Sequence, residues 1–319
     1  MNQVPKKKTR LPINGVLLLD KPVGWSSNDA LIKTKRLLNA IKAGHTGTLD
    51  PFATGLLPLC FGEATKFSAD LLDADKTYRT VVHLGVTTTT GDTEGEVLEQ
   101  HEVTVTVPQI EQVLEQFRGD ILQVPPMYSA LKRDGKALYE YAREGITLER
   151  EARPVTIHML EFVAYEAPFL TLNVRCSKGT YIRVLGEDIG KALGCGAHLN
   201  ALRRTHVAHL VLENTVTLEQ LEAMDEAERL TLLAPVDALL SSFPAVVLPS
   251  ELARRFLQGQ RIPLGKEGVA HPQTLGRVRV YAKSEQEESA DQLLGSAQLQ
   301  EYAILAPERL ISTAIPNAT

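Results

Sequence analysis

The chain has 319 residues, 44% of them hydrophobic and 23% charged, with 34 bases against 39 acids and a formal net charge of −5. That is ordinary globular composition, long enough for about two domains and for a core that needs no disulfide or structural metal. Its aliphatic runs are as short as residues 16–19, which excludes a membrane-spanning helix, and Cys60, Cys176 and Cys195 stand alone, which excludes CxxC zinc sites and a disulfide framework.

In chain order, residues 1–10 read as a basic arm (Lys6, Lys7, Lys8, Arg10) without the apolar stretch of a secretory signal. Residues 26–41 read as a helix capped by Ser26 or Ser27. Its apolar face holds Ala30, Leu31, Thr34, Leu37, Leu38 and Ile41, and Lys33, Lys35 and Arg36 fall elsewhere. Residues 78–84 alternate as a strand, with Tyr78, Val82 and Leu84 on one face. Residues 108–117 read as a helix with Pro108 near its start. A hairpin is predicted over 154–164 and 169–176, and a helix over 180–193.

Pro244 and Pro249 bracket a stiff connection. Beyond it come a helical piece at 251–257 and strands at 277–281 and 301–305. Consecutive strands favour an α+β fold with a mixed, largely antiparallel sheet flanked by helices. The expected domains are a large body over 1–245 and a small, mostly β module over 246–319.

The net charge conceals a polarised distribution. A ligand feels the patch it touches, because the Debye length is ~8 Å at physiological salt. Residues 1–45 carry nine bases and two acids, whereas 213–230 carry six acids and one base, and 281–319 six acids and two bases. A second basic set is Arg143, Arg150, Arg153, Arg175, Lys178, Arg183, Lys191, Arg203 and Arg204. The two basic sets suit a phosphate-tracking face; plain solvated surface is the competing explanation.

Four segments carry chemistry. Residues 43–55, Ala-Gly-His-Thr-Gly-Thr-Leu-Asp-Pro-Phe-Ala-Thr-Gly, form a turn-rich loop, and no Gly-Lys-Ser/Thr makes it a phosphate-binding P-loop. Locally, Asp50 before Pro51 reads first as the N-cap of a following helix, and His45 as structural. Residues 19–27, Leu-Asp-Lys-Pro-Val-Gly-Trp-Ser-Ser, read as a strand end, a turn and a capped helix, and hold the one tryptophan of the chain. Asp75-Lys76-Thr77-Tyr78-Arg79 and Cys176-Ser177-Lys178-Gly179-Thr180-Tyr181-Ile182-Arg183 each set a tyrosine beside cations, which suits base stacking with phosphate pairing.

Together and in this order, these segments resemble the TruB family of tRNA pseudouridine-55 synthases. Further matches in register are residues 126–132, 194–199 and Leu202-Arg203-Arg204, so the similarity covers most of 13–210. The tail resembles that family's small PUA-like RNA-binding domain less distinctly. The resemblance implies a pseudouridine-synthase-like fold and an isomerase acting on a uridine in the TΨC loop of tRNA. It assigns the catalytic aspartate to Asp50 and the tyrosine against the flipped base to Tyr78. Arg183 becomes the arginine paired to the aspartate, and Tyr181 and Leu202 become pocket residues. His45 becomes the residue that helps displace the uridine, and Lys21 the support of the active-site loop.

Those residue types fit the chemistry. A carboxylate can start cleavage of the glycosidic bond by attack at C1′ or C6, or act as a base on a glycal path. It must be ionised, so a nearby arginine is expected to oppose the pKa rise that burial causes. Flipping a stacked base costs a few kcal/mol, of which stacking on Tyr78 can return ~1–3 kcal/mol. No cofactor or metal is expected, and the expected state is a cytoplasmic monomer with tRNA as partner, no obligatory protein partner and no membrane contact. The competing function is a non-catalytic tRNA-binding or tRNA-folding chaperone, for which a carboxylate beside the flipped base would be a liability.

Overall fold

The computed structural model describes residues 9–286 and 289–312. Lys6, Lys7 and Lys8 of the basic arm, and Glu287 and Glu288 of the acidic tail, lie outside the described residues. The chain opens with β1 (Gly15–Lys21), α1 (Ser27–Leu37), β2 (Ala43–His45) and β3 (Thr54–Phe61). Next come α2 (Ser68–Leu72), β4 (Lys76–Leu84), the ribbon β5 (Val86–Thr88) with β6 (Val97–Gln100), α3 (Val107–Glu115) and β7 (Gly119–Gln123). A second ribbon, β8 (Lys132–Arg133) with β9 (Lys136–Ala137), leads into α4 (Leu138–Arg143). The long hairpin β10 (Arg153–Glu166) and β11 (Phe169–Cys176) precedes α5 (Ile182–Ala192) and β12 (Ala197–Val207). Then follow β13 (Leu210–Val211), β14 (Val216–Thr217), α6 (Leu218–Ala223) and α7 (Glu226–Thr231).

The main sheet runs β14-β1-β3-β12-β4-β11-β10-β7, with β2 added to β3 and β13 to β12. Only β14 with β1 and β3 with β12 pair in parallel, so the sheet is mixed and largely antiparallel, as the strand pattern predicted. The interior of β3 is buried on both faces. Leu57, Leu59 and Phe61 face one apolar layer with Leu17, Leu19 and Leu38, while Leu56 and Cys60 face another with Val16, Phe67 and Leu71. This is the period-2 alternation of a strand covered on both sides. Farther along the sheet, Val82, Leu84, Leu172, Val174 and Leu199 form a third core with α3 and α5.

The parallel contact of β3 with β12 needs a glycine. A Cβ on Gly55 (φ 102°) would sit 2.3 Å from the carbonyl oxygen of Arg204. Only glycine combines that backbone conformation with so close an approach.

A second sheet, β15 (Ala245–Leu248), β16 (Ile262–Pro263), β17 (Gly276–Ala282), β18 (Gln292–Gln300) and β19 (Ile304–Leu310), runs β15-β17-β18-β19-β16. It encloses its own core with α8 (Ser250–Leu257). Three sequence readings are corrected here. The segment between Pro244 and Pro249 is the strand β15, paired in parallel with β17, and not a stiff linker. Residues 301–305 are not one strand. The chain turns at Glu301–Ala303, where Tyr302 (φ 59°) and Ala303 (φ 54°) are left-handed, and β18 was not foreseen. The first helix ends at Leu37 with Asn39 at φ 52°, so Ile41 lies beyond it and is exposed. Of the two candidate caps, Ser26 takes the role and accepts the Asp29 N–H.

Candidate active site

The loop over 46–53 joins β2 to β3 and meets the C-terminal part of β12 and the start of α5. No helix follows Asp50. Ala53 N–H closes a turn on the Asp50 carbonyl at 3.1 Å and the chain enters β3, which overturns the N-cap reading. The carboxylate is committed elsewhere: Arg183 Nε donates to Asp50 Oδ2 at 2.9 Å.

Arg183, in the first turn of α5, is 4% exposed and uses its whole guanidinium. Nη1 donates to the Thr90 carbonyl at 2.8 Å, Nη2 to the Tyr128 carbonyl at 2.7 Å, and Nε lies 3.5 Å from Asp92 Oδ2. Such a fork is rigid and stays charged. Burial pushes the Asp50 carboxyl above its ordinary range; Arg183 opposes the shift, Asp92 adds to it, and Lys21 opposes it again.

The loop is held from behind by backbone recognition. Ser27 Oγ accepts the Leu49 N–H at 2.7 Å and donates to the Leu49 carbonyl at 3.0 Å. Lys21 is fully buried and donates to the carbonyls of Trp25 (2.7 Å), Pro22 (2.9 Å) and Pro51 (3.4 Å). Its burial lowers its pKa to about 8, against the pull of Asp50. Arg204, 1% exposed, donates to the carbonyls of Leu56 (2.8 Å) and Gly47 (3.2 Å).

Asp50, Tyr78, Tyr181, Arg183 and Leu202 line one pocket of about 320 Å³ with Ser129. Tyr78 comes from β4 and Leu202 from the adjacent strand β12. Burial pushes the Tyr78 phenol up, and the Arg204 guanidinium beside it acts the other way. Tyr181 sits at the N-terminus of α5, its backbone N–H and carbonyl both bound by the Gln123 side chain at 2.8 and 3.1 Å. The pocket opens into a larger cleft of about 930 Å³ that shares Asp50 and Arg183 and adds His45, Asp92, Tyr139 and Arg143. His45 is held below its ordinary pKa by burial and by Arg204. Gly47 N–H points at Nδ1 from 3.4 Å, which leaves the proton of the neutral ring on Nε2.

The structure therefore brings six of the seven sequence-assigned residues to the cleft, and puts Lys21 directly behind its loop. Asp92 and Ser27 were not singled out. The signal for Asp92 was a carboxylate in the Gly-rich turn 91–95, and for Ser27 only its place beside the capping serine.

The basic face is more neutralised than its sequence suggests. Lys33 pairs with Glu222 of α6, Lys178 with Asp73 (2.9 Å), Arg175 with Asp75 (3.1 Å) and Arg203 with Asp20 (2.6 Å). Arg143 keeps its charge at the cleft, stacked over Tyr139 with its guanidinium carbon 5.2 Å from the ring centre. Among the described residues no helix is long and apolar enough to cross a membrane.

Three family models match the chain in succession. "TruB family pseudouridylate synthase (N terminal domain)" covers 35–182, "tRNA pseudouridylate synthase B C-terminal domain" covers 183–241, and "Pseudouridine synthase II TruB, C-terminal" covers 244–311. The chain is 59% identical over 313 residues to tRNA pseudouridine synthase B of Ralstonia pickettii (strain 12J), covering 96% of this chain and 97% of the relative. It is 60% identical over 309 residues to the protein of the same name from Burkholderia mallei (strain ATCC 23344), again over 96% and 97%. Among solved structures it resembles a chain of a Cbf5-Nop10-Gar1 complex, at 27% identity and a TM-score of 0.68, over 93% of this chain and 84% of that one. A chain of an H/ACA RNP bound to a substrate RNA containing 2′-deoxyuridine gives 25% identity and a TM-score of 0.67, over 93% and 85%. With family models matching 35–241 and 244–311 and close relatives over nearly the full length, the chain belongs to the TruB family of pseudouridine synthases.

Proposed function

We propose that the chain is a tRNA pseudouridine synthase that isomerises a uridine in the TΨC loop. The observation that carries the reading is the Asp50 carboxylate, exposed to a base-sized pocket and gripped by the buried fork of Arg183. In this reading the uridine is flipped into the pocket and stacks on Tyr78, with Tyr181 and Leu202 as further walls. His45 stands at the cleft mouth, where it occupies the space the base has left. Asp50 starts the cleavage. The N1–C1′ bond breaks, the uracil turns while held, C5 bonds to C1′, and the C5 proton leaves to solvent as N1 gains one.

The wall suits the turning step because Leu202 fixes no hydrogen-bond partner. Lys21 and Arg183 act through Asp50: one holds the turn that follows it, and the other keeps it charged and aimed. Residues 1–245 form the catalytic body in this reading, and 246–319 an RNA-binding module.

The test uses tRNA transcripts tritiated at uridine C5. Wild type is expected to release about one equivalent of tritium per tRNA to water, and Asp50→Asn essentially none. Full turnover by Asp50→Asn would sink the aspartate mechanism. Absence of release by wild type would favour a pure RNA-binding protein.

A further inference from the structure

Helix α5 meets the turn over 88–94 at two points. Gly186 and Gly190 seat the helix close against β12: a Cβ there would lie 2.6 Å from Leu199 and 2.4 Å from Ala197. Arg183 and, one helical turn later, Glu187 then reach the same stretch of chain. Arg183 binds the Thr90 carbonyl and approaches Asp92. Glu187 lies broadside on the residue between those two. A Cβ on Gly91 (φ 71°) would sit 2.8 Å from the Glu187 carboxyl carbon and from Oε1, and 3.1 Å from Oε2. Only glycine leaves room for this contact. The rest of the turn is tied to the same place. The Gly91 carbonyl accepts the Leu199 N–H at 2.9 Å, Thr88 Oγ1 donates to the Asp92 carbonyl at 2.8 Å, and Asp92 Oδ1 accepts the Glu94 N–H at 3.0 Å.

The Glu187 carboxyl has no ion pair or hydrogen-bond partner among the described residues. A half-buried carboxylate without a donor is costly, whereas the neutral acid packs on a glycine with little penalty. Burial pushes the Glu187 carboxyl up to about 7; Arg183 opposes the shift, and Asp188 and Asp92 add to it. The group therefore changes charge near neutrality. Its outer side lines a separate cavity of about 360 Å³ with Glu99, His101, Lys191 and Cys195, none of which lines the catalytic cleft. Protons thus reach Glu187 from a side that the cleft does not share.

We propose that Glu187 is a positioning residue for the isomerisation: as the neutral acid it holds Gly91 against α5, so that Thr90 and Asp92 keep Arg183 aimed at Asp50. This rests on the synthase reading above. Ionised, Glu187 sets a second carboxylate near Asp92 and draws on the guanidinium that Asp50 needs. It lines neither the pocket nor the cleft, so its effect falls on the chemical step and not on affinity.

The test measures kcat and kcat/KM for tritium release, and filter binding of the same tRNA transcript, across the neutral pH range. Wild-type kcat is expected to fall as the pH rises through about 7, and the same limb should appear in kcat/KM, because the RNA does not cover the group. Glu187→Gln keeps the shape of the neutral acid. It should retain kcat below that limb and lose the limb itself. It should also melt higher than wild type above pH 7, a gain that vanishes toward the ordinary value of 4.5. Glu187→Ala leaves a gap over Gly91 and should lower kcat about tenfold or more, with tRNA binding unchanged. Glu187→Gln keeps the test decisive if Glu187→Ala does not fold.

The proposal is overturned if Glu187→Gln shows the wild-type limb, or if it loses as much kcat as Glu187→Ala. Equal losses of kcat and tRNA affinity in Glu187→Ala would overturn it too, as the mark of a general structural role. A failure of the synthase reading shows separately, as absence of tritium release by wild type at every pH, and takes this role with it.

Discussion

Asp50 carries opposing demands. In the proposed mechanism its chemistry needs the charge, and its position resists it: burial is the largest influence on its carboxyl and raises the pKa, with Arg183 only partly reversing the shift. A carboxyl whose pKa is raised on folding costs stability once ionised. That cost is absent below the unfolded value of about 3.9 and grows as the pH rises above it. Asp50→Asn is therefore expected to melt higher than wild type at pH 7, with the difference vanishing toward pH 4, by calorimetry across that range. A lower midpoint at pH 7 would mean that the bond to Arg183 outweighs desolvation. For the same reason, the acid limb of wild-type activity should lie above the ordinary aspartate range, as a pH profile of tritium release would reveal.

At the level of elements, the loop that bears Asp50 is held against α1 by one side chain. Ser27 satisfies both the N–H and the carbonyl of Leu49, immediately before Asp50. Ser27→Ala should leave those groups unpartnered and cost about 1–3 kcal/mol. It should also lower kcat more than it raises KM, in single-turnover assays against unfolding measurements. Much of this architecture was legible in the chain. The alternation over 78–84 matched β4, and the proline and apolar spacing near 108 matched α3, where Thr106 and Gln109 add a capping box. The hairpin at 154–176 emerged with the strand limits only slightly longer.

What failed was governed by contacts far away in sequence. Asp50-Pro51 has the local chemistry of a helix start, but pairing of Thr54 and Gly55 with Arg203 and Arg204 draws the chain into a strand. The strand expected over 301–305 is broken because its tyrosine and alanine adopt a backbone that neither residue prefers. Lys33 looked free for phosphate because nothing local announces Glu222. Family motifs located the pocket residues and the pairing of Arg183 with Asp50; the further partners of Arg183, Asp92 above all, were written only in the tertiary structure.

Over the whole molecule, the two sheets meet through the segment 63–70. Arg277 of β17 reaches Asp70 of α2 and lies 2.8 Å from Glu308 of β19, while Lys66 donates to the Leu310 carbonyl at 2.8 Å. Asp70 and Arg277 side chains are only 8% and 15% exposed. Arg277→Ala should cost about 3–5 kcal/mol by stranding a buried carboxylate. Asp70→Asn combined with Arg277→Met should recover part of that loss, a coupling that a double-mutant cycle on unfolding free energies would measure.

The interior cations have a wider consequence. Lys21, Lys76, Arg183 and Arg204 are solvated in large part by main-chain carbonyls: those of 22, 25 and 51, of 71, 72 and 74, of 90 and 128, and of 47 and 56. Every amino acid supplies a carbonyl, so these anchors read the path of the chain and not the identity of its side chains. Tolerance to substitution should accordingly be lopsided. A saturation library selected for activity would find the four donors nearly immutable, while the residues that accept from them drift wherever their own side chains have no other duty.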